Sequence, residues 1–316
     1  MMPFIHIGTV HIFGYTWHVT LASFGLCVGI AMLVSYFVLA KDLQRRAIHA
    51  PADLMVAVPC IAGLVGAKLY HVLETPRDLF ADPKILVSQY GFAWFGGFLG
   101  GFIAFVLLAR HYRIPLLQIF DAASPAAALG YGIGRIGCLI SGDGDYGIST
   151  SLPWGMSFPN GLVPTTERVH PTPIYELIVA IFIFWWLWRL GGKQVWAAAH
   201  PPKVTASLTA MSREEWIAER RSLWNRIPRW LRMSIVGNFR AWHRPPRGEV
   251  FAQYLILTGV ARFFVEFIRI NPRSFFGMTN AQTASLASVI AGIALMWRMR
   301  RRTPAAQNSR TRERMQ

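Results

Sequence analysis

Residues 129–147 read LGYGIGRIGCLISGDGDYG, and the interpretation of this stretch determines what kind of protein the chain is. Gly132, Gly134 and Gly137 have the G-x-G-x-x-G spacing of a dinucleotide-binding turn, which requires a preceding β-strand and a later acidic residue. The preceding residues, 116–129, are instead rich in Ala and Leu, as in a membrane-spanning helix. Small residues let membrane helices approach one another closely. We therefore interpret the glycines as a thin helix face that ends in the turn-forming loop SGDGDYG.

The composition of the whole chain indicates a membrane protein. Of its 316 residues, 53% are hydrophobic and only 15% are charged, whereas about a quarter of the residues in soluble domains are charged. The net charge of +16 favours anionic partners, and we expect these to be membrane lipid head groups and not nucleic acid. The three cysteines lie in apolar stretches, as buried small hydrophobic residues do, and do not suggest a disulfide framework.

Hydropathy predicts an all-α, polytopic protein with seven transmembrane helices. A bilayer core requires about 20 mostly apolar residues per helix. Such segments lie at 18–40, 53–73, 92–109, 116–141, 173–190, 250–268 and 283–299. Lys and Arg favour cytoplasmic loops, and with the N-terminus outside the cytoplasmic segments contain 24 of them against five in the external loops. The C-terminus is then cytoplasmic.

The apolar segments form one predicted membrane domain, residues 1–190 and 248–300. Between them, residues 191–247 are basic and contain several tryptophans, which suits a helix lying on the inner leaflet. A solvated cytoplasmic insertion with no role beyond membrane contact is the other interpretation. The polar tail, residues 301–316, is predicted to be disordered.

Two arginines inside predicted spans, Arg135 and Arg262, are the main functional candidates. An arginine at the centre of a span costs about 2.5–3.5 kcal/mol on insertion scales, so it marks a functional site by default. The spacing of Arg262, Glu266 and Arg269 places all three on one helix face. Guanidinium groups from two spans can clamp a phosphate, because each planar fork binds two of its oxygens. The alternative is a purely structural ion pair of Arg135 with Asp121 or Glu266.

Further polar side chains lie at the ends of the predicted spans. His170 is either a proton-transfer group or an interfacial residue, and Tyr175 and Glu176 follow it into the helix bundle, where Glu176 is expected to pair with a cation. Lys68 either reaches the membrane interface or adds positive potential to a phosphate site. Tyr15, which precedes the first span, suits an aromatic belt.

In combination, these motifs resemble those of the bacterial prolipoprotein diacylglyceryl transferases. The resemblance covers nearly the whole chain outside the insertion and the tail, and the predicted topology is also that of the family. The matching pieces are Gly-Arg-Ile-Gly at 134–137 with the acidic loop that follows, His-Pro-Thr-Pro-Ile-Tyr-Glu at 170–176, Arg-Phe-Phe-Val-Glu-Phe-Ile-Arg at 262–269, and Gly-Ala-Lys-Leu-Tyr at 66–70.

The resemblance implies a reaction at the bacterial inner membrane. The family moves the diacylglyceryl group of phosphatidylglycerol to the thiol of the lipobox cysteine of a preprolipoprotein, and glycerol-1-phosphate leaves. It implies no cofactor and no metal. Arg135 and Arg262 would hold the phosphate and stabilise the charge that develops on the leaving group. His170 and Tyr15 are the other catalytic candidates.

The resemblance also implies a set of residues that contact the substrates. Gly142 and Gly147 would let the head group approach, and Asp143 stands near the family's loop glutamate. The full set is Lys68, Gly96, Gly97, Cys138, Gly142, Asp143, Gly147, Tyr175 and Glu266.

Two departures from the family's pattern concern the chemistry. Phe95 takes the place of the histidine in the family's H-G-G, a candidate for proton handling, and Cys138 takes the place of an asparagine. The acidic loop is also one residue longer. The thiol proton then goes to His170, Tyr15, Asp143 or water. Otherwise the chain is a divergent relative with another acceptor, or a non-catalytic lipid-binding protein.

Overall fold

The computed structural model describes residues 2–12, 15–74, 93–199, 245–275 and 277–302. This part of the chain is mostly helical, as the sequence predicts. Its helices are α1 (Ser23–Arg45), α2 (Ala52–Glu74), α3 (Trp94–His111), α4 (Leu116–Ser141), α5 (Thr172–Ala199), α6 (Glu249–Val265) and α7 (Asn280–Arg302). Each of them overlaps one of the seven predicted spans.

Three helices, α1, α2 and α5, are long and apolar enough to cross a membrane, and α3 contains a shorter apolar helical segment. The outer surface of α2 fits this interpretation, because Ile61, Leu64 and Leu73 are all more than half exposed. Exposed apolar faces of this kind suit a lipid environment. These helices support a membrane protein, while the number of spans and their orientation stay predictions.

Within the described ranges, three antiparallel hairpins lie before or between the helices and qualify the all-α prediction. They pair β1 (Phe4–Ile12) with β2 (Tyr15–Ala22), β3 (Met156–Phe158) with β4 (Thr165–Val169), and β5 (Arg273–Phe275) with β6 (Met278–Thr279). Because β2 continues to Ala22, the first helix begins at Ser23. The predicted start of the first span at residue 18 is therefore wrong by five positions. The sequence of β2, YTWHVTLA, is rich in β-branched and aromatic residues, which favour strands.

The chain divides into two compact units, Met1–Trp188 with Arg247–Gln316, and Arg189–Pro246. Most of the predicted insertion, 191–247, and nearly all of the predicted disordered tail, 301–316, lie outside the described residues. In the second unit, the Gln194 side chain donates a hydrogen bond of 2.6 Å to the carbonyl oxygen of Pro246. The candidate site described below belongs to the first unit, as do the helices apart from the end of α5, which from Arg189 onwards belongs to the second.

Glycines allow α2 and α3 to pack with their backbones in contact. A Cβ atom on Gly100 would lie 2.5 Å from the carbonyl oxygen of Ala62, and one on Gly66 would lie 2.5 Å from that of Gly96. Both distances are far below van der Waals contact, so larger residues would push the helices apart. This is the close packing that small residues provide in membranes.

The two ends of α4 have different surroundings. Near its start, Ile119, Ala122 and Ala126 belong to a buried apolar cluster. There the Asp121 carboxylate accepts hydrogen bonds from the backbone N–H groups of Gly248 (2.6 Å) and Phe251 (2.9 Å), and so caps the N-terminus of α6. Arg135 lies fourteen positions after Asp121, which is about 21 Å along a helix. The predicted alternative pairing of Asp121 with Arg135 is therefore wrong.

Candidate active site

Three arginines and three carboxylates form one ion-pair network at the far end of α4. They come from α4, the loop that follows it, α5, and the end of α6 with the turn beyond. Its members are Arg135, Asp145, Glu176, Arg262, Glu266 and Arg269. The formal charges of these six side chains sum to zero.

Glu176 is the centre of this network. Its Oε2 lies 3.0 Å from Nε of Arg135, and its Oε1 lies 2.7 Å from Nη1 of Arg262. Tyr131 donates a hydrogen bond of 3.0 Å to the same Oε1. Because one buried carboxylate binds both guanidinium groups, the two predicted arginines face the same place although they belong to different helices.

The segment that follows Arg262 is helical only in part. The predicted pairing of Arg262 with Glu266 is confirmed, with Nη2 and Oε2 3.0 Å apart. The prediction that Arg269 shares their helix face is wrong, because α6 ends at Val265 and Arg269 lies beyond a turn. Its backbone instead forms an isolated antiparallel bridge with Gly147. That bridge brings the Arg269 side chain to the network from the loop side.

Asp145, in the loop after α4, binds two of the arginines. Its carboxylate accepts hydrogen bonds from Nη1 of Arg135 and Nη2 of Arg269. Burial acts to raise the pKa of Asp145, but the charges of Arg269 and Arg135 outweigh it and lower the pKa from its ordinary value. The pKa of Asp143 is raised, first by burial and then by the charge of Asp145. Of the two loop carboxyls, Asp145 is thus the ionised partner of the arginines.

A cavity of about 600 Å³ lies beside the network, which is within the usual size range for small-molecule sites. Arg135, Arg262 and Arg269 line it together with Asp145 and Glu176. The other lining residues are mostly apolar or small, and they include Phe95 and Phe98 of α3, Ile183 of α5, and Ala284 and Ser288 of α7. One cavity therefore combines a cationic region with apolar walls, an arrangement that suits an anionic amphipathic molecule.

Cys138, Asp143 and Asp145 have possible metal-ligand atoms within 4.8 Å of one another. Arg135 occupies the same neighbourhood, since its Nη1 lies 3.6 Å from Sγ of Cys138 and also contacts Asp145. The guanidinium already supplies the positive charge that a metal ion would bring. We interpret Cys138 and Asp143 as neighbours of the ion-pair network, to which Asp145 belongs.

His170 and Tyr175, both predicted site residues, form a separate hydrogen-bonded group near the network. Nδ1 of His170 lies 3.2 Å from the Tyr175 hydroxyl, which also accepts a hydrogen bond of 2.8 Å from Nε1 of Trp154. The backbone of His170 pairs with that of Gly147. Neither His170 nor Tyr175 is among the described residues that line the cavity.

Three of the four predicted glycines, all except Gly97, lie at close backbone contacts. Gly96 packs on Gly66 of α2, with Gly97 beside it, and Gly142 ends α4 in the left-handed conformation with φ of +59°. A Cβ on Gly147 would lie 2.8 Å from a backbone oxygen of the turn after α6. Among the described residues, none of these glycines lines the cavity, so their contact with substrate stays a prediction.

The remaining predicted residues are Lys68 and Tyr15. Lys68 is buried in α2 and is not among the described residues that line the cavity. Tyr15 begins β2, where its backbone pairs with Ile12, and its side chain lies outside the described part of the structure.

Sequence reasoning gave no site role to Tyr131, Asp145 or Arg269, whereas the predicted pairing of Glu176 with a cation is confirmed. One signal was available for Tyr131, because it lies four residues before Arg135 and hence on the same helix face. In the loop, the resemblance indicates Asp143, which stands near the family's loop glutamate, and not Asp145. Arg269 and Glu176 were noticed as charged residues, but their partners depend on tertiary contacts that the spacing along the chain does not determine.

Comparison with known proteins gives a consistent result. The family model for prolipoprotein diacylglyceryl transferase matches residues 11–211 and 221–298. Similar proteins carry the name phosphatidylglycerol–prolipoprotein diacylglyceryl transferase. One from Leptospira interrogans is 25% identical over 89% of this chain and 84% of its own length. One from Clostridium tetani is 27% identical over 86% and 90%, and one from Nitrosospira multiformis is 30% identical over 80% and 73%. With a family match across most of its length and the motif arginines gathered at one cavity, the chain belongs to the prolipoprotein diacylglyceryl transferase family.

Proposed function

We propose that this protein transfers the diacylglyceryl group of phosphatidylglycerol to the thiol of a prolipoprotein lipobox cysteine and releases glycerol-1-phosphate. The observation that carries the proposal is the convergence of Arg135 and Arg262 on Glu176 at the cationic region of an otherwise mostly apolar cavity. The names of similar proteins, which include both substrates, support it.

The cavity offers a different environment to each part of such a lipid. The anionic phosphate suits the arginines, because charge-assisted hydrogen bonds from guanidinium groups are among the strongest in proteins. The acyl chains suit the walls formed by residues such as Phe98 and Ile183. In this proposal the protein lies in the bacterial inner membrane with seven spans, its N-terminus outside and its C-terminus in the cytoplasm.

The reaction forms a carbon–sulfur bond and breaks a carbon–oxygen bond to phosphate. The departing glycerol phosphate gains negative charge, which Arg135 and Arg262 are positioned to stabilise. Glu176 and Glu266 fix the two guanidinium groups before the substrate arrives. Donors held in place in this way stabilise a transition state without reorganisation, and removing one such donor typically reduces kcat about 100- to 1000-fold.

His170, Tyr15, Lys68 and the glycines at 96, 97, 142 and 147 keep their predicted roles as part of this proposal. The backbone of His170 pairs with that of Gly147, and the backbone of Gly147 pairs with that of Arg269. A substitution of His170 can therefore alter the position of Arg269 in the arginine network. The His170–Tyr175 group suits acceptor binding at the edge of the network more than direct contact with phosphate.

The direct test combines the purified protein, phosphatidylglycerol and a lipobox peptide. Mass spectrometry detects the thioether-linked peptide, and an enzymatic assay detects released glycerol phosphate. Arg135→Ala and Arg262→Ala should each reduce product formation about 100-fold or more. Arg110→Ala is the matched control, since Arg110 is exposed in the last turn of α3 and lies outside the network. Absence of both products from the wild-type protein would contradict the proposal.

A second function, phospholipid binding without catalysis, is favoured by one specific observation. Phe95 lines the cavity where the family has a histidine, and phenylalanine cannot accept a proton. A pure binding protein would retain phosphatidylglycerol through Arg135 and Arg262 and release no glycerol phosphate. Complementation in bacteria depleted of their own transferase separates the two functions, because only the enzyme restores lipidated lipoproteins.

A further inference from the structure

Tyr131 and Glu176 line the same cavity, and their side chains are hydrogen-bonded to each other. Tyr131 lines the cavity, and its hydroxyl donates a hydrogen bond of 3.0 Å to Oε1 of Glu176. Its ring lies 4.8 Å from Cζ of Arg135, one helical turn later, so the side chain is held on two sides. The side chain is 43% exposed, whereas Glu176 is only 4% exposed. Tyr131 is therefore the more exposed partner of this cavity-lining pair.

The proposed reaction requires a proton acceptor in the cavity. A thiol reacts as its thiolate, so the lipobox cysteine must lose a proton as it attacks. Phe95 provides no acceptor, and neither His170 nor Tyr175 is among the described cavity-lining residues. Asp145 and Glu176 are both ion-paired with arginines, but of these two carboxylates it is Glu176 that accepts a hydrogen bond from a tyrosine hydroxyl. Tyr131 and Glu176 form a hydroxyl–carboxylate pair. Both residues line the cavity, and the Glu176 carboxylate binds both Arg135 and Arg262.

We propose that Tyr131 relays the proton of the acceptor thiol to Glu176, an inference that rests on the transferase function proposed above. As sulfur attacks the glyceryl carbon, its proton passes to the Tyr131 oxygen and the original phenolic proton passes to Oε1 of Glu176. The carbon–sulfur bond forms and the carbon–oxygen bond breaks. The electron pair of the broken bond remains on the phosphate oxygen. After the product leaves, the proton returns from Glu176 through Tyr131 to solvent.

The charge balance of the site supports this route. Before reaction the phosphodiester and Glu176 each carry one negative charge. Afterwards the phosphomonoester carries close to two, and protonated Glu176 carries none. The total is unchanged, so the arginines neutralise the same charge throughout and no ion has to enter a site of low polarity.

The test uses the full-length protein with phosphatidylglycerol and a lipobox peptide, and compares the wild type with Tyr131→Phe. This change keeps the ring against Arg135 and removes only the hydroxyl. Since acid–base groups contribute about 100- to 10,000-fold, we expect kcat at pH 7 to fall at least about 100-fold. The affinity for phosphatidylglycerol should stay within about threefold of that of the wild type, which also shows that the variant is folded. Tyr36→Phe, the same change at a residue of α1 that is not among the described residues lining the cavity, should leave kcat unaltered.

A pH profile separates a relay from a merely structural role. The charged groups that face Tyr131 are Arg135, Glu176 and Arg262, and such groups ordinarily keep their ionisation between pH 7 and 9. The lipobox thiol ionises by itself near pH 8.5, so the deficit of Tyr131→Phe should shrink at least about tenfold from pH 7 to pH 9. A kcat within about threefold of the wild type at pH 7, or a deficit equal at both pH values, would overturn the relay. An inactive wild-type protein would instead overturn the proposed function itself.

Discussion

Replacing Glu176 by glutamine tests whether this carboxylate organises the arginine pair. The substitution keeps the size of the side chain and removes its charge, so that three arginines remain with two carboxylates. Breaking a buried ion pair by removing one partner typically costs about 3–5 kcal/mol. Here Arg135 keeps Asp145 and Arg262 keeps Glu266, and the two arginines are 16% and 25% exposed. Partial compensation and solvent screening bring our expectation to about 2–3 kcal/mol of lost stability.

The same substitution should change lipid binding in the opposite direction. A guanidinium released from Glu176 is able to make a further charge-assisted hydrogen bond to phosphate, worth about 1.5–3 kcal/mol. We therefore expect Glu176→Gln to bind phosphatidylglycerol at least about tenfold more tightly, with a steeper dependence on salt. Turnover should fall, because the guanidinium groups are no longer held in position. Lower stability, tighter binding and slower turnover together form a pattern that a loss of folding does not produce.

Unfolding in mixed detergent micelles and binding to phosphatidylglycerol-containing nanodiscs measure these changes. Glu167→Gln is the matched control, because Glu167 lies exposed on β4 and bonds to Ser149 outside the network. It should behave like the wild type in both measurements. If Glu176→Gln also matches the wild type in stability and in lipid affinity, Glu176 does not organise the arginines and the description of the site is wrong.

Three further predictions address other parts of the molecule. Asp145→Asn should lower stability at neutral pH but not at acid pH. Because the pKa of Asp145 is lowered in the folded protein, its ion pairs stabilise the fold above the unfolded-state pKa of about 3.9. This contribution is lost as the pH falls through the folded-state pKa. A difference in melting temperature between variant and wild type that is constant from pH 7 to pH 3 would contradict this. Gly100→Leu should separate α2 from α3 and reduce the amount of folded protein. The control Gly25→Leu in α1, where a Cβ meets nothing within 4 Å, should not reduce it. Equal yields of the two variants by fluorescence-detected chromatography would count against the close packing. Asp121→Ala should cost about 1–2 kcal/mol through loss of the cap of α6, and Asp121→Asn, which keeps acceptor capacity, should recover part of it in the same unfolding assay.

The sequence was sufficient to predict the helices because their signal is local. Long apolar runs give spans such as 53–73 and 116–141, and the helices found at Ala52–Glu74 and Leu116–Ser141 agree with them closely. The first hairpin was not predicted, because residues 18–22 are apolar enough to extend a hydropathy window and only their pairing with β1 makes them a strand. Hydropathy measures the free energy of transfer of a segment to lipid. It carries no information about which residues form hydrogen bonds with the backbone N–H and C=O groups of that segment.

The site was predictable in part for a related reason. Arg135 and Arg262 attracted attention because an arginine in an apolar segment is costly in itself. The identity of their partners was harder to infer, since Asp121 and Glu266 were as plausible along the chain as Asp145 and Glu176. Asp121 proved to cap another helix. The distribution of charge pairs depends on which helix ends meet, and this follows from packing and not from spacing.

A neutral network accounts for two requirements that conflict at first sight. Three unpaired arginines in a membrane protein would be costly to insert and would repel one another, so each needs a carboxylate partner. A site that binds one anion also needs positive potential, which full neutralisation removes. The carboxylates differ in exposure, with Asp145 at 28%, Glu176 at 3% and Glu266 at 0% of their side chains. The most exposed one lies on the loop and is the least costly to displace or rehydrate. An arriving phosphate can therefore take over its arginines, while the two buried carboxylates keep the guanidinium groups in place.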